Sequence, residues 1–317
     1  MIIHGNVRNV VACALTVALG TLASGALAQD GLAQPKLLDR LPADALEVAE
    51  ARSDASVGDE IILRGRVAFS ADAFTPAGSF LLVDEASVPE CCAKGEHEGA
   101  PASECEVAAE KSAQVQLLDG RGEPIRGSLE NRHGLAAGKE VFVVGTVKET
   151  GAGRAMAVNA KAIHVSPSAV PFGLMLDEAP EGAENPVDAK VDAKAGQGIV
   201  VRGRVGGLVR PFVDGRAVFT IVGRGPKACS DIPDDPCKMP WDYCCVPRKE
   251  LMAHFATIQL VDENGAPLRT DIKGRRGIRE LSDLSIVGTV ISAERGALIV
   301  KATGIYNHSV DTKAASH

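Results

Sequence analysis

Cys229, Cys237, Cys244 and Cys245 fall within the stretch CSDIPDDPCKMPWDYCC, together with the chain's only tryptophan, Trp241, and one of its two tyrosines, Tyr243. A second group, Cys91, Cys92 and Cys105, shares the stretch CCAKGEHEGAPASEC with His97. Thiols this dense support three chemistries: disulfide staples, a thiolate metal centre, or thiol redox exchange. Redox exchange has the least behind it, because there is no C-x-x-C pair placed at a helix N-terminus to lower a thiol pKa.

The staple reading follows from compartment. Arg8, the apolar and small-residue run Val10–Leu27, and Ala26-Leu27-Ala28 before Gln29 read as a cleavable signal peptide spanning 1–28. A membrane anchor fits less well, because Thr, Ser and Gly dilute the run and the polar Gln29-Asp30-Gly31 follows at once. Most of the apolar run follows Cys13 rather than preceding it, so Cys13 is read as leaving with the leader. The mature chain is expected in the periplasm or outside the cell, where disulfides persist, and no later segment approaches the ~20 apolar residues a membrane span needs. Losing Arg8 takes the net charge from −7 to −8, a balance that favours solubility and does not attract nucleic acid or anionic lipid.

The chain repeats itself. EIILRGRV (60–67) matches GIVVRGRV (198–205), SFLLVD (79–84) matches VFTIVG (218–223), and VQLLDGRGEPIRG (115–127) matches IQLVDENGAPLRT (258–270). GLAAGKEVFVVGTV (134–147) and AVNAKAIHV (157–165) find counterparts at 277–290 and 299–307, with the offset always between 138 and 143. Five ordered matches indicate a tandem duplication.

Each copy supplies five strand candidates with period-two alternation. Ile199, Val201, Gly203 and Val205 share one face, and Val200, Arg202 and Arg204 share the other. Gly203 and Gly288, in the first and fourth candidates, suit bends or bulges, and Asn264-Gly265 marks a turn. The pattern predicts an all-β protein of two tandem five-stranded barrels of the OB type; an open β-sandwich would satisfy the same pattern. The expected organisation is a lead segment at 29–55 with a short helix around Pro42–Arg52, repeat 1 at 56–166, an extended Pro/Ala/acidic linker at 167–195, repeat 2 at 196–310, and a disordered tail at 311–317.

Within this frame all seven mature cysteines lie in the insertion between the second and third strands of a copy. Cys91 aligns with Cys229 and Cys105 with Cys244. The economical pairing joins Cys91 or Cys92 to Cys105, and Cys229 to Cys244 or Cys245, with Cys237 taking the remaining member of the Cys244–Cys245 pair. A ~15-residue closure stabilises by roughly 3 kcal/mol in the chain-entropy model. Copy one then keeps an odd thiol, which sustains the metal alternative: Cys229, Cys237, Cys244 and Cys245 in copy two, and Cys91, Cys92, His97 and Cys105 in copy one, as ligands for Zn or Cu(I). Adjacent cysteines such as Cys244 and Cys245 strain a single tetrahedral site, and the spacing is not that of a zinc ribbon.

The motif C-x7-C-x2-P-W-D-Y-C-C, followed by ATIQLVDENGAPL and a terminal GTV…GIY, resembles a group of exported bacterial proteins of unassigned function, on an OB-like barrel domain. The resemblance covers about residues 197–307 and implies export and a domain boundary, with no known activity. Copy one lacks the Trp-Asp-Tyr and the second cysteine of the motif.

Trp241, Asp242 and Tyr243 offer either a turn that caps one barrel end or a ligand clamp beside the thiols. OB barrels bind oligonucleotides and sugars, and Arg64, Arg66, Arg202 and Arg204 with IKGRRGIRE (272–280) supply local positive charge. Single-strand binding also needs stacking aromatics among those charges, and at 3% aromatic content they are scarce. No P-loop is present, and no His lies beside a Ser, Cys or carboxylate in a recognisable catalytic pattern. The expectation is therefore a non-enzymatic, cofactor-free, cysteine-stapled binding module whose partner is an exported protein or a small ligand, with a thiolate metal protein as the alternative.

Overall fold

A computed structural model of the chain describes residues 35–89, 91, 92 and 105–310. The leader at 1–28, His97 and the tail at 311–317 lie outside the described residues. The first half contains β1 (Lys36–Leu37), β2 (Leu46–Glu47), α1 (Val48–Asp54), β3 (Glu60–Val67), β4 (Phe74–Thr75), β5 (Ser79–Val83), β6 (Ser112–Leu117), β7 (Glu140–Glu149) and β8 (Met156–Val165). After α2 (Pro186–Asp192) come β9 (Gly198–Val205), β10 (Val218–Val222), α3 (Arg248–His254), β11 (Phe255–Gln259), β12 (Asp283–Ser292) and β13 (Ile299–Asn307).

The chain is mostly β. Strands β9 to β13 close a five-stranded barrel in the order β10-β11-β13-β12-β9, with β11 and β13 parallel and the other neighbours antiparallel. The first half makes the same circuit of pairings, β5-β6-β8-β7-β3 and back to β5, again with one parallel pair, β6 and β8. The sandwich alternative is thereby removed for the second half, where the sheet has no free edge.

Glycine sets the curvature at matched positions. In β9, Arg204 pairs with Asp283 on one side and Val222 on the other, so the strand is held between two neighbours there. A Cβ on the preceding Gly203 would stand 2.8 Å from the Val222 carbonyl oxygen, and one on Gly65 would stand 2.9 Å from that of Val83. Farther round, β7 and β12 shift register at Val144/Gly145 and Val287/Gly288, which is the local irregularity that bends a barrel strand. The turns after β6 and β11 also match: Asp119 Oδ1 accepts from Arg121 N and Glu123 N, and Asp262 Oδ1 from Asn264 N and Ala266 N.

Each barrel has its own apolar core. One includes Leu63, Phe80, Leu117, Val143 and Ile163, and the other Val201, Phe219, Ile258, Ile286 and Ile305. The segments expected to be loose are packed. Val48 and Ala51 of α1 are buried in the first core, and β1 and β2 pair in parallel with β8 and β3. The stretch 167–195 is not an extended linker: Val170, Leu174 and Ala189 enter the second core, Met175 and Glu184 bridge to Ile305 and Val201, and Pro186 begins α2 at the helix position where proline costs no hydrogen bond. A few scattered apolar residues dock this polar stretch without forming a regular period.

The two barrels belong to one compact unit. Arg275 of the second barrel pairs with Glu140 of the first, at 5% and 1% side-chain exposure. Glu140 also accepts from Thr270 Oγ1 at 2.6 Å. Arg64 donates to the Lys273 carbonyl at 2.8 Å, with Glu47 at 3.6 Å from Nη2. Arg66 bonds the Val170 carbonyl, lies 3.4 Å from Glu85, and faces the Phe172 ring at 4.1 Å. Of the arginines read as local positive charge, Arg64 and Arg66 are buried and offer no surface to a polyanion, whereas Arg202 and Arg204 are half-buried and paired with Asp283 and Asp231.

Candidate metal centre

The long insertion between β10 and β11 is short of apolar content, and its own backbone bonds shape it. The segment around Cys229 folds against the segment around Trp241: Cys229 N donates to the Asp242 carbonyl at 2.9 Å and Ser230 N to that of Pro240 at 3.0 Å. Asp231 fixes this pair of segments to the barrel. Its Oδ2 accepts from Arg204 Nη1 on β9 at 2.7 Å and from Ala228 N at 3.1 Å. Beneath them Tyr243, 2% exposed, packs with Val222 and Ala228, and with the half-buried Val246, Leu251 and Phe255. Its burial pushes the phenol up to about 12.

This framework converges three thiols. The sulfurs of Cys229, Cys237 and Cys244 all lie within 4.8 Å of one another, with Cys229 and Cys244 at 3.5 Å. Asp235 Oδ1 accepts from Cys237 N at 2.7 Å, turning Cys237 back toward the other two. Cys229 is buried, Cys237 half-buried, and Cys244 exposed. Burial, with the neighbouring Cys244 and Cys237 sulfurs, pushes the Cys229 thiol up to about 12. A metal-free Cys229 is thus a poor nucleophile; a bound cation would displace the proton outright.

Cys245 stands apart. Its sulfur is 4.0 Å from that of Cys244 and 3.8 Å from Asp235 Oδ2. The anticipated staple from Cys237 to Cys244 or Cys245 is not formed: all three are unbonded, and the Cys245 sulfur lies toward Asp235. Nor do four thiols gather, since neighbouring residues project differently. Cys229 and Cys244, one of the two pairings expected for Cys229, are adjacent but unbonded.

In the first barrel, Cys92 and Cys105 form a disulfide with Cα atoms 6.0 Å apart. This is one of the two pairings read from the sequence. Cys91 is half-buried and unbonded, its sulfur 3.8 Å from that of Cys92. With Cys92 and Cys105 oxidised, the first-copy metal set has lost two of its thiolates.

Trp241, Asp242 and Tyr243 do not form a clamp. Tyr243 is core, Asp242 Oδ1 accepts from Tyr243 N at 2.8 Å, and half-buried Trp241 donates from Nε1 to the Val209 carbonyl at 3.1 Å. They build the floor and wall of the thiol site. Two residues that sequence reasoning passed over complete it. Asp231 and Asp235 are unremarkable acids in a proline-rich loop, and only their spacing of two residues from Cys229 and Cys237 respectively hints at local backbone bonding. Elsewhere, His164 Nδ1 contacts the Leu38 carbonyl at 2.7 Å. His308 Nε2 lies 2.9 Å from Ser285 Oγ, but Ser285 is buried in β12, so the pair is closed to a substrate.

No family model matches the chain, and no curated protein matches it. Among solved structures, one similar chain is described as a "putative aspartyl-tRNA synthetase" from Leishmania major Friedlin, at 15% identity and a TM-score of 0.22. The match covers 50% of this chain and 29% of that one. A likeness at this level carries no argument about fold or activity.

Proposed function

We propose that the protein is a non-enzymatic thiolate metal-binding protein whose working element is the long loop of the second barrel. The observation that carries this reading is the convergence of the Cys229, Cys237 and Cys244 sulfurs within 4.8 Å. A soft or borderline cation with metal–sulfur bonds of about 2.3 Å spaces its thiolates by roughly 4 Å, so little rearrangement is needed. The rest of the molecule holds this loop in place: Arg204 fixes Asp231, and Tyr243 supports the loop from below.

The two barrels are read as products of a tandem duplication, supported by the shared pairing circuit, the matched glycines and the matched aspartate turns. Export rests on the leader-like N-terminus, with the Cys92–Cys105 disulfide as circumstantial support.

A second reading, a disulfide-stapled interaction module, is favoured by the 3.5 Å approach of Cys229 to Cys244 and by the oxidised pair in the matching loop of the first barrel. One experiment separates the two. The full chain, isolated from the compartment to which it is sent, is assayed for bound metal by elemental analysis and for alkylatable thiols by peptide mapping. The metal reading expects one equivalent of metal, with Cys229, Cys237 and Cys244 reduced. A Cys229–Cys244 disulfide without metal overturns it in favour of the staple.

A further inference from the structure

Resting on the thiolate reading, we infer that the cation selected is monovalent copper, held by Cys229, Cys237 and Cys244 alone, with Cys245 outside the coordination shell. Donor number and donor type both point to it. Structural zinc is almost always four-coordinate and tetrahedral. Among the described residues the cluster has three members, all sulfur. No histidine belongs to it.

Asp235 and Cys245, which adjoin the cluster, are otherwise engaged. Asp235 uses Oδ1 on Cys237 N and presents Oδ2 to Cys245. Cys245 follows Cys244 directly in the chain and points to Asp235, so reaching the centre would require turning the backbone that carries Cys244. A closed d10 ion such as Cu(I) is satisfied by three soft thiolates, and thiolate ligands select it. Binding releases the three thiol protons and forms three Cu–S bonds, with no change of oxidation state.

The burial gradient gives the site a direction. Cys229 lies at the base, against the Tyr243 floor, while Cys244 is exposed at the mouth with Cys245 4.0 Å beyond it. A cation therefore enters and leaves through the Cys244 side, where Cys245 is within reach of an exchanging ion but does not hold it at rest.

The test uses the full chain, reduced and handled without oxygen, titrated separately with Cu(I) against a bicinchoninate competitor and with Zn(II) against a colorimetric zinc chelator. X-ray absorption then reads the coordination shell. The expected result is one Cu(I) per chain with three sulfur neighbours and no nitrogen. Cys245→Ser should leave the affinity unchanged. Cys237→Ser should lower it by more than the roughly tenfold to hundredfold that changes outside a ligand shell cost. If Cys237→Ser fails to fold, alkylation of the wild-type copper complex serves instead, with Cys245 modified and Cys229, Cys237 and Cys244 protected.

Preferential four-coordinate zinc binding, or loss of copper binding in Cys245→Ser, overturns the copper inference while leaving a thiolate metal protein. Failure of both cations to bind the reduced chain overturns the proposed function as well.

Discussion

Glu140 and Arg275 belong to different barrels and form an ion pair whose two side chains are almost entirely withdrawn from water. Such a pair adds little beyond an apolar replacement of the same shape, but losing one partner leaves a buried charge short of compensation. Without Glu140, the ion partner left to Arg275 among the described residues is Glu85 at 3.9 Å. Glu140→Leu should therefore destabilise the protein by about 3–5 kcal/mol. The double variant Glu140→Leu/Arg275→Met should recover a large part of that loss. Urea unfolding of both variants checks this; equal destabilisation would show that the charge imbalance is not what matters.

Asp84 provides a pH signature. Its carboxylate accepts the Val48 and Ala49 amides at 2.6 and 2.8 Å, but burial and the nearby Glu47 outweigh them and push it up to about 6, from 3.8. The folded state thus holds this proton more tightly than the unfolded chain does. The associated stability is fully present below about pH 4 and is lost as pH rises through about 6, an effect on the order of 3 kcal/mol. Comparing wild type with Asp84→Asn between pH 4 and 7 isolates it. Parallel stability curves for the two proteins would refute the assignment.

The Cys92–Cys105 bridge closes a loop with a sequence separation of 13. Cys92→Ser/Cys105→Ser should cost about 2–4 kcal/mol, and a reductant should have the same effect on the wild type. Thermal melts in both conditions measure it. Indifference to reduction would mean that the loop is held by its packing alone.

Two glycines should respond oppositely to alanine. At Gly288 a Cβ would run into the Lys301 carbonyl and the Val300 side chain, whereas at Gly198 nothing lies within 4 Å. Gly288→Ala should destabilise by about 1–3 kcal/mol. Gly198→Ala should be neutral or stabilise by up to about 1 kcal/mol through the unfolded chain. Equal tolerance of the two substitutions in chemical denaturation would remove the steric account of the β12 bulge.

The strands, their glycine bends and the turn after β11, though not the Asp119 and Asp262 side chains that close the two matched turns, were legible in the sequence. Each is a local pattern: a period of two, an interrupting Gly, an Asn264-Gly265 pair. The docking of the barrels was not. Alternation puts Arg64 and Arg66 on the face away from the barrel interior, and a period of two cannot say whether that face meets water or another domain. The connecting stretch was misread for a related reason, since Val170, Leu174 and Ala189 recur at no regular interval. In the thiol site, composition and loop placement named the right cysteines. Which three converge depends on Asp235 turning Cys237 inward, and on adjacent Cys244 and Cys245 diverging, neither of which has a one-dimensional signal.

The charge network between the barrels is not repeated at the corresponding place in the second one. Glu140 in β7 and Asp283 in β12 occupy corresponding places, each opposite the second arginine of its neighbouring strand, Arg66 and Arg204. Glu140 reaches outward to Arg275 of the following barrel. Asp283 instead accepts from Arg202, two residues along the neighbouring strand, at 3.0 and 2.6 Å through both oxygens, while Arg204 is engaged by Asp231 of the thiol loop. A head-to-tail contact whose donor and acceptor faces both recur on every unit propagates into a fibre. Here the second-barrel carboxylate that stands where Glu140 does in the first is taken up by Arg202 within its own sheet, so it is not free to repeat the Glu140–Arg275 contact.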